Sequence, residues 1–65
     1  MIKKYRKKLG ITQEKLAELI DISPRQLQRI ENGSSETSLK TLKKLIEVLN
    51  ISDEDVVKYI KKQDV

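Results

Sequence analysis

The chain has 65 residues, of which 14 are lysine or arginine and 10 are aspartate or glutamate, giving a formal net charge of +4. This length allows one small domain. Because cysteine and histidine are both absent, disulfides, thiolate zinc sites and histidine-based catalysis are excluded.

The first two predicted helices share a pattern in which apolar residues recur at intervals of three and four. Gly10 ends the first helix, because glycine readily adopts the left-handed conformation that closes helices. Thr12 is placed to cap the second helix, since its hydroxyl can accept a hydrogen bond from one of the first helical N–H groups. The apolar residues that share a face are Ile2, Tyr5 and Leu9 in the first helix and Leu16, Ala17 and Ile20 in the second.

The third predicted helix follows a short connection at Asp21 and begins with two agreeing signals. Pro24 falls at the first helical position, where its missing N–H costs nothing. Ser23 and Gln26 have the spacing of a capping box. A short polar loop is predicted over residues 34–37, after the helix ends. The predicted core residues of this helix are Leu27 and Ile30.

The fourth and fifth predicted helices also begin at capping residues. Ser38 or Thr37 caps the fourth helix, and Asn50 can take the left-handed conformation that closes it. Ser52 with Asp55 repeats the capping arrangement at the start of the fifth. The apolar positions at helical spacing are Leu39, Leu42, Leu45, Ile46 and Leu49 in the fourth helix and Val56, Val57, Tyr59 and Ile60 in the fifth. The sequence therefore predicts an all-α domain of five short helices.

The joint between the second and third helices is the most informative segment. So tight a turn requires a small residue where the backbones cross, which Ala17 provides, and a residue that tolerates positive φ, which Asp21 provides. The third helix would present its polar side chains on the face opposite its core residues. These side chains are Arg25, Gln28 and Arg29. Arginine can pair with the O6 and N7 atoms of guanine, and glutamine can pair similarly with adenine.

The run TQEKLAELIDISPRQLQRIENG resembles the helix-turn-helix of the phage repressor and Cro family of transcriptional regulators, the XRE type. The likeness extends from Arg6, ahead of a Leu-Gly-Ile-Thr-Gln run, to the run Leu-Asn-Ile-Ser that begins at Leu49. It implies a five-helix, lambda-repressor-like DNA-binding domain over residues 1–65. The helix-turn-helix would lie at about residues 13–31 and the fifth helix at about 53–61.

The resemblance also implies roles for individual residues, with the third helix in the major groove of operator DNA. By position, the residues that contact bases are Pro24, Arg25, Gln28 and Arg29. Those that contact backbone phosphates are Gln13, which can also support a side chain of the third helix, Asn32 with the backbone N–H groups near Gly33 and Ser34, and Lys40. Arg6 and Glu31 are expected to form a structural ion pair without touching DNA. Pro24 stands where the family often has a polar base-reading side chain, and it can offer only apolar contact.

The leading interpretation is a sequence-specific regulator, a repressor that binds a near-palindromic operator as a homodimer. The fifth helix has more apolar residues than one small core needs, and its outer side is the predicted dimer interface. The residues concerned are Val56, Val57, Tyr59 and Ile60. Two alternatives remain open: an antitoxin or controller protein with a protein partner, for which Leu19 is a further surface to test, and a protein-interaction module that does not bind DNA.

The sequence also predicts several absences. No run approaches the ~18 apolar residues of a membrane span, and no apolar segment follows the basic N-terminus as it would in a secretory signal. No nucleophile with an activating base, metal cluster or paired carboxylates can be assigned. We therefore expect a cytoplasmic protein that is not an enzyme and has no metal, cofactor, small-molecule ligand or membrane partner.

Overall fold

The computed structural model describes residues 1–34 and 37–63, and within them the chain forms five α-helices and no strand. The helices are α1 (Ile2–Leu9), α2 (Gln13–Leu19), α3 (Pro24–Glu31), α4 (Leu39–Leu49) and α5 (Asp53–Gln63). The predicted all-α class is confirmed. Ser35 and Glu36 of the predicted polar loop lie outside the described residues.

Local capping bonds set where the helices begin. The hydroxyls of Thr12, Ser23 and Ser38 accept hydrogen bonds from the backbone N–H groups of Lys15, Gln26 and Thr41 at 3.1, 3.1 and 3.2 Å. Each bond satisfies an N–H group that the helix itself leaves without an acceptor. Ser38, rather than Thr37, is the residue that caps α4.

The core is one cluster of mainly leucine and isoleucine side chains. Its buried members are Ile2, Leu16, Ala17, Ile20, Leu27, Ile30, Leu45, Leu49 and Ile51. Helical spacing does not bring every apolar residue into this cluster, since Leu9 is 52% exposed and Leu39 is 67% exposed. Both lie at a helix end, next to the exposed Gly10 and Ser38 respectively, so they extend past the edge of the core.

The turn between α2 and α3 fixes how α3 is presented. Asp21 has a φ of 61°, a left-handed conformation that aspartate adopts more easily than most residues. The N–H groups of Asp21 and Ile22 donate to the carbonyls of Glu18 and Ala17 at 3.3 and 3.0 Å. Because Ala17 is fully buried, α3 can pack closely across α2 and expose its opposite side.

Side-chain hydrogen bonds attach α5 to the rest of the fold along its length. Near its start, the Tyr5 hydroxyl of α1 donates to the Asp55 carboxylate, and the Ser52 N–H donates to the Tyr5 hydroxyl at 3.4 Å. Farther along, the hydroxyls of Tyr59 and Thr37 are 2.8 Å apart and share a hydrogen bond. The hydrogen bond from Tyr5 lowers the pKa of the Asp55 carboxyl below its ordinary value.

This lowered pKa makes the contact between α1 and α5 pH-dependent. The hydrogen bond from Tyr5 to ionised Asp55 contributes fully to stability above the ordinary pKa of an aspartate, about 4. This contribution is lost as the pH falls through the lowered pKa of Asp55 in the folded protein. We therefore expect Tyr5→Phe to reduce the free energy of unfolding at neutral pH. The difference from the wild-type protein should narrow as Asp55 becomes protonated. Urea unfolding of both proteins across the acid range would measure this, and a constant difference would contradict it.

Candidate nucleic-acid interface

The outer face of α3 carries three exposed polar side chains and, at its start, an exposed proline. Leu27 and Ile30 are buried, and the residues on the other side of the helix are exposed, namely Pro24, Arg25, Gln28 and Arg29. Arg25 and Arg29 are four residues apart, so their side chains are neighbours on the helix surface. Neither forms a salt bridge with any residue in the described part of the chain. Their guanidinium groups are thus available to a ligand outside the protein.

The predicted phosphate contacts lie on three different elements. Gln13 is the half-buried first residue of α2, Asn32 is the exposed C-cap of α3, and Lys40 is exposed in the first turn of α4. Ser34 is also exposed, but its backbone N–H donates to the Arg29 carbonyl at 2.9 Å. Since this N–H closes the end of α3, the side-chain hydroxyl is the donor that Ser34 can offer to a ligand.

Arg6 and Glu31 lie together in the interior, between α1 and the end of α3. Arg6 Nε donates to Glu31 Oε2 at 2.8 Å, and Arg6 Nη2 donates to Glu31 Oε1 at 3.2 Å. The side chains are only 11% and 1% exposed. Arg6 Nη1 also donates to the carbonyl of Ile11 at 3.0 Å, so a single guanidinium connects α1, α3 and the segment before α2.

Gln13 contacts this ion pair. The resemblance implied that Gln13 can support a side chain of the third helix, but it did not identify Glu31 as that side chain. Gln13 Nε2 donates to Glu31 Oε1 at 3.0 Å. The two residues are 18 positions apart, and the contact depends on how α2 and α3 pack. Gln13 also lines an open surface pocket of about 390 Å³, together with Arg6, Thr12 and Glu14.

The predicted dimer residues of α5 fall into two sets. Val56 and Tyr59 are half-buried against the core, so much of their apolar surface is already covered. Val57 and Ile60 are each 48% exposed and lie on the outer side of the helix. Leu19, at the end of α2, is exposed to the same extent.

No helix in the described ranges is both long and apolar enough to span a bilayer. The acidic side chains of these ranges form no group of three or more that could hold a metal ion.

Comparison with known proteins gives one match. A family model described as helix-turn-helix matches residues 2–56, which run from the start of α1 into α5. No curated protein and no solved structure matches the chain.

Proposed function

The chain belongs to the helix-turn-helix family of the XRE and Cro type, and from this premise we propose that it is a repressor that binds a near-palindromic operator as a homodimer. Membership in this family makes it a DNA-binding transcription regulator. In the proposal, residues 1–65 form one DNA-binding domain and α3 lies in the major groove. The observation that carries it is the outer face of α3, where exposed arginines lie opposite a buried apolar edge.

Direct base recognition is assigned to this outer face. Arg25 and Arg29 each carry a planar guanidinium that can donate two hydrogen bonds to guanine O6 and N7. Gln28, on the same exposed face, can pair with adenine through its amide. Pro24 has no side-chain donor or acceptor, so its contribution is apolar contact, for example with a thymine methyl group.

Phosphate contacts would place α3 in the groove without reading sequence. Gln13, Asn32 and the Ser34 hydroxyl are assigned as neutral hydrogen-bond donors to the DNA backbone. Lys40 is assigned as a cationic contact, because a lysine ammonium approaches phosphate as a point charge. These residues lie at the start of α2, the end of α3 and the start of α4, so DNA would be held around α3 from several directions.

The homodimer is assigned to the outer side of α5. Val57 and Ile60 provide exposed apolar surface there, while Val56 and Tyr59, on the inner side of the helix, pack against the core. In a two-fold dimer the same patch meets its own copy. The two α3 helices would then enter successive major grooves about 34 Å apart.

A charged residue at this interface should separate the protomers. We expect Ile60→Lys to weaken self-association by at least about tenfold. In the dimer, the lysine ammonium would be buried against the apolar surface of the other protomer, which is unfavourable for an unpaired charge. Sedimentation equilibrium would measure the dissociation constant. Leu9→Lys is the matched control, because Leu9 is exposed to a similar extent but lies on α1. Equal effects of the two substitutions would place the dimer interface elsewhere.

Selection from a random duplex library, followed by titration of the selected sites against salt, tests the proposed function as a whole. Enrichment of a two-fold symmetric site with half-sites about one helical turn apart is the expected result. Strongly salt-dependent binding without an enriched sequence would mean that the basic residues contact only phosphate. That result would contradict sequence-specific repression.

A further inference from the structure

The Glu31 carboxylate is the centre of a buried hydrogen-bond network. Its two oxygens accept hydrogen bonds from Arg6 Nε, Arg6 Nη2 and Gln13 Nε2, at distances of 2.8, 3.2 and 3.0 Å. The side chain is 1% exposed, so it has no access to water as an alternative partner. Glu31 is the last residue of α3 and Gln13 is the first residue of α2, and the network therefore joins the two helices of the helix-turn-helix.

This network determines which end of the Gln13 amide points inward. An ionised carboxylate can only accept hydrogen bonds, so Gln13 must direct Nε2, and not its carbonyl oxygen, toward Glu31. One N–H of the amide is used in this bond. The second N–H and the carbonyl oxygen are left for other partners, and Gln13 lines the open pocket beside the start of α2.

We infer that Glu31 is a positioning residue for DNA binding, which holds the Gln13 amide so that its second N–H donates to a backbone phosphate. The inference rests on the proposed function, because it deepens the role assigned to Gln13. A side chain that is already ordered in the free protein loses less conformational freedom when it binds. Glu31 would thereby strengthen DNA binding without touching DNA.

Arg6 is what allows an acidic side chain to serve as this partner of Gln13. Arg6 Nε lies 2.8 Å from Glu31 Oε2, so the guanidinium compensates the buried negative charge. Without Arg6, a buried carboxylate would place an uncompensated negative charge close to the expected phosphate.

A double-mutant cycle tests this inference. In the wild-type background, Gln13→Met removes the amide but keeps the length of the side chain. We expect it to weaken operator binding by about tenfold, the loss of one hydrogen bond to a charged group. The second background is Arg6→Met with Glu31→Leu, which replaces the ion pair by apolar side chains and leaves the net charge unchanged. Here Gln13 has lost its acceptor, and Gln13→Met should change the dissociation constant by less than about twofold.

The cycle separates positioning from a purely structural role. If the Arg6–Glu31 pair only maintained the fold, Gln13→Met would weaken binding equally in both backgrounds, and the inference would be overturned. Thermal unfolding of each variant establishes that it is folded at the binding temperature. If this apolar pair does not fold, Arg6→Leu with Glu31→Met provides another apolar background. It also leaves the net charge unchanged and removes the acceptor of Gln13, so the effect of Gln13→Met should shrink there too.

Failure of this inference is distinguishable from failure of the proposed function. If the wild-type protein selects an operator while Gln13→Met changes the dissociation constant by the same factor in both backgrounds, Glu31 does not position Gln13, and sequence-specific binding stands. If Gln13→Met leaves the wild-type affinity unchanged, the phosphate contact of Gln13 itself is wrong. If the wild-type protein selects no sequence and binds no duplex, the proposed function fails and the inference fails with it.

Discussion

Replacing Arg25 and Arg29 together with alanine should abolish recognition of the operator. Each bidentate contact with guanine contributes about 1–3 kcal/mol of discrimination. If the two contacts act independently, specific binding should weaken by roughly 30-fold to 10⁴-fold. Stability should change little, because both side chains are exposed and neither forms a salt bridge in the described residues. Fluorescence anisotropy with the selected operator and with a scrambled duplex would measure the loss.

The control for this double variant removes the same charge from another surface. Lys3 and Lys4 are exposed on α1, and replacing both with alanine should weaken binding to the operator and the scrambled duplex by the same factor, through long-range electrostatics. If the arginine variant also lost the same factor on both duplexes, Arg25 and Arg29 would contact only phosphate. If the arginine variant lost no affinity for either duplex, the alternative of a protein-interaction module would gain support.

Features that depend on a few neighbouring residues could be predicted from the sequence. The caps at Thr12, Ser23 and Ser38 each depend on a hydroxyl and an N–H group three residues later. The left-handed backbone conformations at Asp21 and Asn50 depend on residue types that tolerate a positive φ. Because the physical cause is local, the bounds of α2, α3 and α4 follow closely from the residues themselves.

Features that depend on packing between helices could not be predicted in the same way. The spacing of apolar residues assigns Val56 and Val57 to the same helix, but only the packing of α5 shows that Val57 has the more exposed side chain. The bond from Gln13 to Glu31 likewise requires the start of α2 and the end of α3 to meet. The resemblance supplied the pairing of Arg6 with Glu31 and a contact from Gln13 to the third helix, but only the structure shows that Glu31 receives this contact.

The largest effect on stability is expected from breaking the ion pair between Arg6 and Glu31. Removing either partner leaves the other buried without its counter-charge, which typically costs about 3–5 kcal/mol. At roughly 0.05–0.15 kcal/mol per residue, a domain of 65 residues has a total stability of about 3–10 kcal/mol, so Arg6→Met or Glu31→Leu alone should remove a large share of it. Urea unfolding at about 25 °C would measure the loss for each variant.

The double variant distinguishes the cost of an unpaired charge from the value of the pair. Two apolar side chains need no counter-charge, and such replacements of buried pairs are often neutral or stabilising by about 1–4 kcal/mol. We therefore expect Arg6→Met with Glu31→Leu to recover most of the stability that either single change removes.

The salt bridge between Lys58 and Glu54 is the matched surface control. Its side chains are 70% and 81% exposed, and the charged groups are 3.7 Å apart. Lys58→Met should therefore cost less than about 1 kcal/mol. The single changes at Arg6 and Glu31 could instead cost no more than this control. Water would then be solvating the charge of the remaining partner, and the buried ion pair would not be what holds α1 against the end of α3.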